Sequence, residues 1–183
     1  MESGFKVCRR GRAAVYQGIS GSLFLGMAIL FCAPAAIAAL PDACSLLSNA
    51  DVHALAPSLG KGRPGNVRFK NVSTCEWPDA HGIPALTAQV NPAPPHSLVK
   101  DLSSGIAAMG GYDIKRISGL GDEAAMAVQR ANPKYHLEEG IAILSVRVGK
   151  RVVSLSPMRI KIKPGTAKFR RLKRLAAKAA SHL

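Results

Sequence analysis

The chain has 183 residues and a formal net charge of +14, with 25 lysines and arginines against 11 acidic residues. A chain of this length builds one hydrophobic core once an N-terminal leader is removed, which excludes a multidomain protein. Nine of the basic residues lie at or after Arg159, where no acidic residue occurs, so the positive charge is concentrated at the C-terminal end.

The first 40 residues have the order of a secretory signal peptide. A basic segment precedes an uncharged apolar stretch, 19–40, which ends in small residues. Ala36 and Ala38 fit the A-x-A pattern that signal peptidase accepts, so residues 1–38 are predicted to be a signal peptide and the protein to be periplasmic or extracellular. A retained membrane anchor is the alternative, because about 20 apolar residues can span a bilayer.

Two cysteines, Cys44 and Cys75, remain after the predicted leader is removed. An even number of cysteines in an oxidising compartment predicts a disulfide. Closing this loop would stabilise the fold by roughly 3 to 4 kcal/mol. A metal site or a catalytic thiol is the alternative, and either would need further ligands nearby.

The predicted domain, residues 39–183, begins with a helical region. Asp42 can cap a short first turn, and Ser48 with Asp51 three residues later resembles a capping box. Pro57 closes the region, because proline does not continue a helix.

The next elements are predicted to be two strands and a central helix. Residues 67–77 and 86–90 partly alternate between apolar and polar side chains, which predicts an antiparallel pair of strands. Ser97 can cap a helix that continues to Met109, and the glycine pair 110–111 ends it.

The second half of the domain is predicted to be mostly strand. Four segments have strand-like patterns: 112–117, 124–129, 141–148 and 152–158. Gly149, between the last two, suits a type II′ hairpin, and Pro164 precedes a basic amphipathic helix over 166–182. The predicted fold class is α+β, with a single antiparallel sheet of about five or six strands covered by N-terminal, central and C-terminal helices.

Three short motifs are spread along the chain: D-A-C-S-L-L-S from residue 42, C-E-W from residue 75 and G-L-G-D-E-A from residue 119. Together they resemble a family of small exported bacterial domains of unknown function, with relatives among actinobacterial lipoproteins. The resemblance implies an envelope protein with a Cys44–Cys75 bridge and supplies no catalytic residues. This chain lacks the lipobox of the lipoprotein members, so a lipid anchor is not implied.

The last of these motifs also has the G-x-G-x-x-A spacing of a dinucleotide-binding fingerprint. That fingerprint follows a buried strand and opens a helix, whereas residues 114–118 are half polar and the residues after the motif alternate as in a strand. Asp122 and Glu123 would also place negative charge where a pyrophosphate approaches. A glycine turn is therefore favoured, and no cofactor is predicted.

The other residue types that carry chemistry are scattered along the sequence. No two of the five histidines have the i, i+4 spacing of a helical metal site, so no metal site is predicted. Glu138 and Glu139 could supply an acid and a base, but adjacent carboxylates in polar loops are usually solvated. No catalytic residue is predicted.

The predicted C-terminal helix is the segment of the sequence that suggests a function. At about 100° per residue its apolar side chains occupy one arc and its basic side chains another. We call the basic arc the cationic face, and it consists of Arg170, Arg171, Lys173, Arg174 and Lys178. Lys168, Arg170 and Arg171 crowd the helix N-terminus, where the helix dipole disfavours positive charge, and an anionic partner would relieve the repulsion.

These observations predict a non-enzymatic binding module of the cell envelope. Its cationic face would contact an anionic membrane surface or an envelope polyanion, or an unidentified protein partner. Nucleic acid ranks below these, because aromatic residues that stack on bases are few. Two alternatives stay open: the basic residues form only the solvated face of a packed helix, or the protein is a hydrolase-like enzyme with an unrecognised site.

Overall fold

The structure covers most of the predicted domain. A computed structural model of the protein describes residues 40–65, 71–106 and 110–183, all within one compact unit, Ala38–Leu183. The predicted signal peptide, the first part of the predicted strand 67–77 and the last residues of the predicted central helix lie outside these ranges.

Capping side chains set the starts of the helices. The helical elements are α1 (Asn49–Leu55), α2 (Leu98–Ser104), α3 (Ala167–Ser181) and two 3-10 turns, Ala43–Ser45 and Pro133–Tyr135. The predicted capping box is confirmed: Ser48 Oγ accepts a hydrogen bond from Asp51 N at 3.2 Å, and Asp51 Oδ2 accepts one from Ser48 N at 3.0 Å. The helix α2 ends before the predicted glycine pair, because the backbone of Gly105 leaves the helical region. Within the ranges given above, no helix is long and apolar enough to cross a membrane.

Seven strands of the described chain form one antiparallel sheet. They are β1 (Arg63–Pro64), β2 (Ser73–Pro78), β3 (Pro84–Pro92), β4 (Tyr112–Ile117), β5 (Glu123–Gln129), β6 (Gly140–Val148) and β7 (Arg151–Ser156). Their order across the sheet is β1-β2-β3-β7-β6-β5-β4. The α+β class is therefore confirmed, and the two-residue β1 raises the strand number above the predicted five or six. β7 stops two residues before the predicted end, because Pro157 has no backbone N–H to donate.

The two faces of the sheet are covered differently. On one face α1 and α3 enclose the main core, where Leu144, Leu155 and Leu172 are fully buried. On the other face Leu98 and Leu102 of α2 pack in a second cluster with Ala125 of β5 and Val152 of β7. Part of this second face is left open, and Thr87, Gln89, Ile143 and Ser156 are only half-buried there.

A disulfide and a buried tryptophan tie the N-terminal segment to β2. Cys44 and Cys75 are bonded, with their Cα atoms 4.9 Å apart, so the predicted disulfide is confirmed. Trp77 is 1% exposed, and its indole N–H donates to Asn49 Oδ1 at 3.3 Å. Gly62 passes over the indole so closely that a Cβ there would lie 2.7 Å from Nε1, which is why this position requires glycine.

Candidate anion-binding site

The C-terminal helix α3 is fixed to the sheet by its apolar side. Thr166 caps it, with Oγ1 accepting a hydrogen bond from Phe169 N at 3.2 Å. Its buried residues are Leu172, Leu175, Ala176, Ala179 and Ala180. The predicted apolar arc is thus the packing surface, and a fixed helix presents the basic arc to solvent.

The structure divides the cationic face into two groups. Arg171, Arg174 and Lys178 are exposed, and they line a cleft between α3 and α1. Their i, i+3 and i+7 spacing places them on one side of the helix. Arg170 and Lys173 do not line this cleft. Arg170 is exposed and donates to a backbone carbonyl just before the helix at 3.3 Å, whereas Lys173 is half-buried.

The cleft, which we call the arginine cleft, has a volume of about 210 Å³. The buried side chains of Leu55 and Leu175 form its floor, and the exposed side chains of Arg171, Arg174 and Lys178 lie at its rim. The lining residues are Asp51, Ala54 and Leu55 from α1, and Arg171, Arg174, Leu175 and Lys178 from α3. This combination can accommodate an anionic group attached to an apolar one.

Within the cleft, Lys178 is already neutralised by the protein. Its Nζ lies 2.7 Å from Asp51 Oδ1. The hydrogen bonds from Lys178 and then from Ser48 lower the pKa of Asp51 to about 2, so this carboxylate is ionised at neutral pH. Arg171 and Arg174 form no ion pair with the described residues. The arginine cleft therefore carries two cations in excess of its own carboxylate.

The G-L-G-D-E-A motif is a turn between β4 and β5. Gly119 and Gly121 have φ angles of 74° and 54°, and β5 begins at Glu123, so a strand follows the motif where a nucleotide site needs a helix. Asp122 accepts a hydrogen bond from Gly149 N at 2.6 Å, and Glu123 accepts one from the first N–H of α2 at 3.0 Å. Both carboxylates therefore have structural partners.

The remaining candidates for chemistry do not come together. Across residues 40–65, 71–106 and 110–183, no group of three histidine, cysteine or acidic side chains lies close enough to hold a metal ion. Glu138 is bound to Lys161 at 2.8 Å, and this hydrogen bond lowers the pKa of the Glu138 carboxyl. A carboxyl kept ionised in this way does not suit a general acid.

Sequence reasoning missed a groove on the open face of the sheet. It has a volume of about 740 Å³, and segments 136–139 and 157–162 form its walls above β3, β6 and β7. We call it the open groove. In the sequence the groove is marked only by Thr87 and Gln89, which alternate with the core residues of β3. In the structure these two residues pair with Ser156 and Ser154 of β7. The same alternation is typical of any solvent-facing sheet, so it did not indicate a site.

Comparison with protein-family models, with curated proteins and with solved structures finds no match for this chain. The arginine cleft and the cationic face are therefore the features from which a function is inferred.

Proposed function

We propose that the protein is an exported, non-enzymatic binding module of the cell envelope that attaches to anionic surfaces through the cationic face of α3. The observation that carries this proposal is the pair Arg171 and Arg174. Both side chains are exposed, neither has an ion-pair partner among the described residues, and both border the arginine cleft.

Arginine is the residue type best suited to phosphate. Its planar guanidinium can donate two parallel hydrogen bonds to one phosphate group. Arg171 and Arg174 lie three residues apart on one helix, so they can reach the same phosphate or two neighbouring ones. The buried side of α3 holds the helix in place, and binding therefore requires no unfolding.

An anionic lipid surface fits the cleft better than nucleic acid does. The floor of the arginine cleft is apolar, through the buried Leu55 and Leu175, and the cleft offers no aromatic ring on which a base could stack. A membrane presents phosphate groups beside apolar chains. Each lysine or arginine close to an anionic surface contributes about 1 kcal/mol.

Export is supported by the Cys44–Cys75 disulfide, because such bonds persist outside the reducing cytoplasm. The resemblance to exported domains points the same way. Mass spectrometry of the protein from an exporting host should show a chain that begins at Ala39 or Leu40. A chain that keeps Met1 in the envelope fraction would indicate an anchored protein instead.

Vesicle sedimentation tests the binding proposal. The protein should sediment with vesicles that contain phosphatidylglycerol and much less with phosphatidylcholine alone. It should be released as salt shortens the Debye length from about 10 Å at 0.1 M to about 3 Å at 1 M. Arg171→Gln with Arg174→Gln should weaken binding about 20- to 30-fold, the equivalent of two surface cations.

A matched control removes the same charge elsewhere. Lys100→Gln with Lys115→Gln changes two exposed lysines on α2 and β4, away from α3, and should reduce binding far less. Equal losses from the two double variants would show that net charge alone drives binding. Wild-type protein that ignores anionic vesicles at low salt would refute the proposed function.

A further inference from the structure

The open groove lies on the face of the sheet opposite α3 and is larger than the arginine cleft. Its volume of about 740 Å³ falls within the range of small-molecule sites, roughly 300 to 1,000 Å³. A neighbouring pocket of about 290 Å³ beside α2 shares Gln89 and Ile143 with it. The groove therefore continues along the sheet towards α2, which gives it an elongated form.

Apolar side chains are exposed on its walls. Only three large hydrophobic residues of the described chain are exposed: Met158 (69%), Leu137 (44%) and Ile83 (44%). Met158 and Leu137 both line the open groove, on segments that precede β6 and follow β7. Concentration of exposed apolar surface beside a cavity marks a binding site more often than isolated exposure does. Methionine also adapts its shape to different apolar ligands.

The floor of the open groove offers uncharged hydrogen-bonding groups. Gln129 and Ser156 line it and are half-buried, and their side chains make no hydrogen bond with residues that the structure describes. Thr87 makes only a weak contact there, from Oγ1 to Met158 Sδ at 3.9 Å. An amide and a hydroxyl are thus available to a ligand at the edge of an apolar wall.

The charge of the open groove differs from that of the whole protein. The chain has a net charge of +14, yet the arginine and the lysine that line the groove are both paired, and the third basic residue there is a histidine, His136. Arg159 Nε lies 3.2 Å from Asp79 Oδ2, and Lys161 Nζ lies 2.8 Å from Glu138 Oε1. Glu139, which also lines the groove, forms no ion pair with described residues. An anionic ligand would find no unpaired lysine or arginine in the lining of the groove and one repelling carboxylate.

We propose that the open groove binds an uncharged amphiphile, with one alkyl or acyl chain and a hydroxyl or amide head. The chain would lie between Leu137 and Met158 and over Ile143. The head would exchange hydrogen bonds with Gln129 on β5 or with Ser156 on β7, because these two side chains lie on opposite sides of β6. This activity is separate from the attachment of α3 to anionic surfaces, and the protein can have either one alone.

Methionine methyl NMR tests the proposal, because two methionines report on the two faces of the sheet. Full-length protein labelled with ¹³C-methyl methionine is titrated with 1-monolauroylglycerol below its micelle concentration. The Met158 methyl signal should shift and saturate, whereas the signal of Met126, which is 4% exposed in the main core, should not. Laurate has the same chain with an anionic head, and it should bind at least tenfold more weakly at neutral pH.

A pair of matched variants locates the site. Leu137→Gln and Ile83→Gln each remove a side chain that is 44% exposed, so neither should disturb the fold. Leu137→Gln should weaken 1-monolauroylglycerol binding about fivefold, and Ile83→Gln should leave it unchanged. The Arg171→Gln, Arg174→Gln variant should bind this ligand like wild type.

Four results would overturn the proposal: an absent or non-saturating Met158 shift, an equal Met126 shift, laurate binding as tight as the neutral ligand, or unchanged affinity in Leu137→Gln. Failure of the vesicle experiment would leave this proposal standing, because the two sites share no lining residue.

Discussion

Lys178 Nζ lies 2.7 Å from Asp51 Oδ1, which joins the last turns of α3 to the first turn of α1 across 127 positions of the sequence. Asp51 also completes the capping box of α1 with Ser48. The carboxylate of Asp51 therefore caps the start of α1 and also holds α3 against α1. The arginine cleft lies where these two helices meet.

We expect the stability of the protein to fall in acid because of Asp51. Its pKa is lowered from 3.8 to about 2 in the folded state. The ionised carboxylate therefore stabilises the fold above a pH of about 4, and this contribution is lost as the pH falls towards 2. Lys178 is about half exposed, with 48% of its side chain accessible, so solvent screening limits the contribution to about 1 kcal/mol. Urea unfolding between about pH 2 and pH 5 measures the loss.

Asp51→Asn should flatten this part of the pH profile. At neutral pH it should lower the free energy of unfolding by about 1 to 2 kcal/mol, because the helix cap weakens as well. Asp113→Asn is the control, since Asp113 takes part in an exposed ion pair with Arg130 on the sheet edge. If both variants keep the wild-type acid profile, Asp51 is not its source.

A buried pair of hydroxyls should behave non-additively. Ser145 and Ser154 are 3% and 6% exposed, and their Oγ atoms lie 2.8 Å apart. Replacing either serine with alanine leaves the other buried hydroxyl without a hydrogen-bond partner. Each single change should therefore lower the free energy of unfolding by about 1 to 3 kcal/mol. Replacing both should cost clearly less than the sum of the two single changes. Urea midpoints of the three variants measure this, and strict additivity would mean that the hydroxyls do not interact.

The disulfide should contribute a large part of the stability of this small domain. Cys44 and Cys75 close a loop with a sequence separation of 31, so replacing both with serine should lower the free energy of unfolding by roughly 3 to 4 kcal/mol. Urea unfolding of wild type with and without reductant should reproduce the difference. Alkylation of both cysteines in native protein without reductant, located by mass spectrometry, would contradict the bond.

Apart from the Cys44–Cys75 disulfide, which follows from the even number of cysteines, the features that sequence reasoning found are local ones. The capping box joins Ser48 to a residue three positions later, and the amphipathic pattern of α3 is contained in a single helix. Gly149 has a φ of 56° between two strands that were predicted to form a hairpin. In each case the interacting residues are neighbours in the chain, so the pattern of residue types is enough.

The features that sequence reasoning missed depend on contacts between distant segments. The open groove exists because β3 pairs with β7, which brings Thr87 opposite Ser156, and no residue pattern specifies that pairing. The cationic face was predicted as one set of five equal residues. In the structure Lys178 differs from Arg171 because Lys178 forms an ion pair with Asp51, a residue of another helix that the pattern of α3 does not reveal.

The two sides of α3 should separate stability from binding. Leu172 is 0% exposed in the main core, so Leu172→Ala should lower the free energy of unfolding by roughly 2 to 5 kcal/mol. Arg170→Gln, on the exposed side, should change it by less than about 0.5 kcal/mol. Urea unfolding measures both variants.

Vesicle sedimentation of Leu172→Ala, at a temperature where circular dichroism shows it folded, should give the wild-type affinity, because its cationic face is unchanged. A stable Leu172→Ala protein that loses vesicle binding would show that the buried side of α3, and not its arginines, carries the attachment.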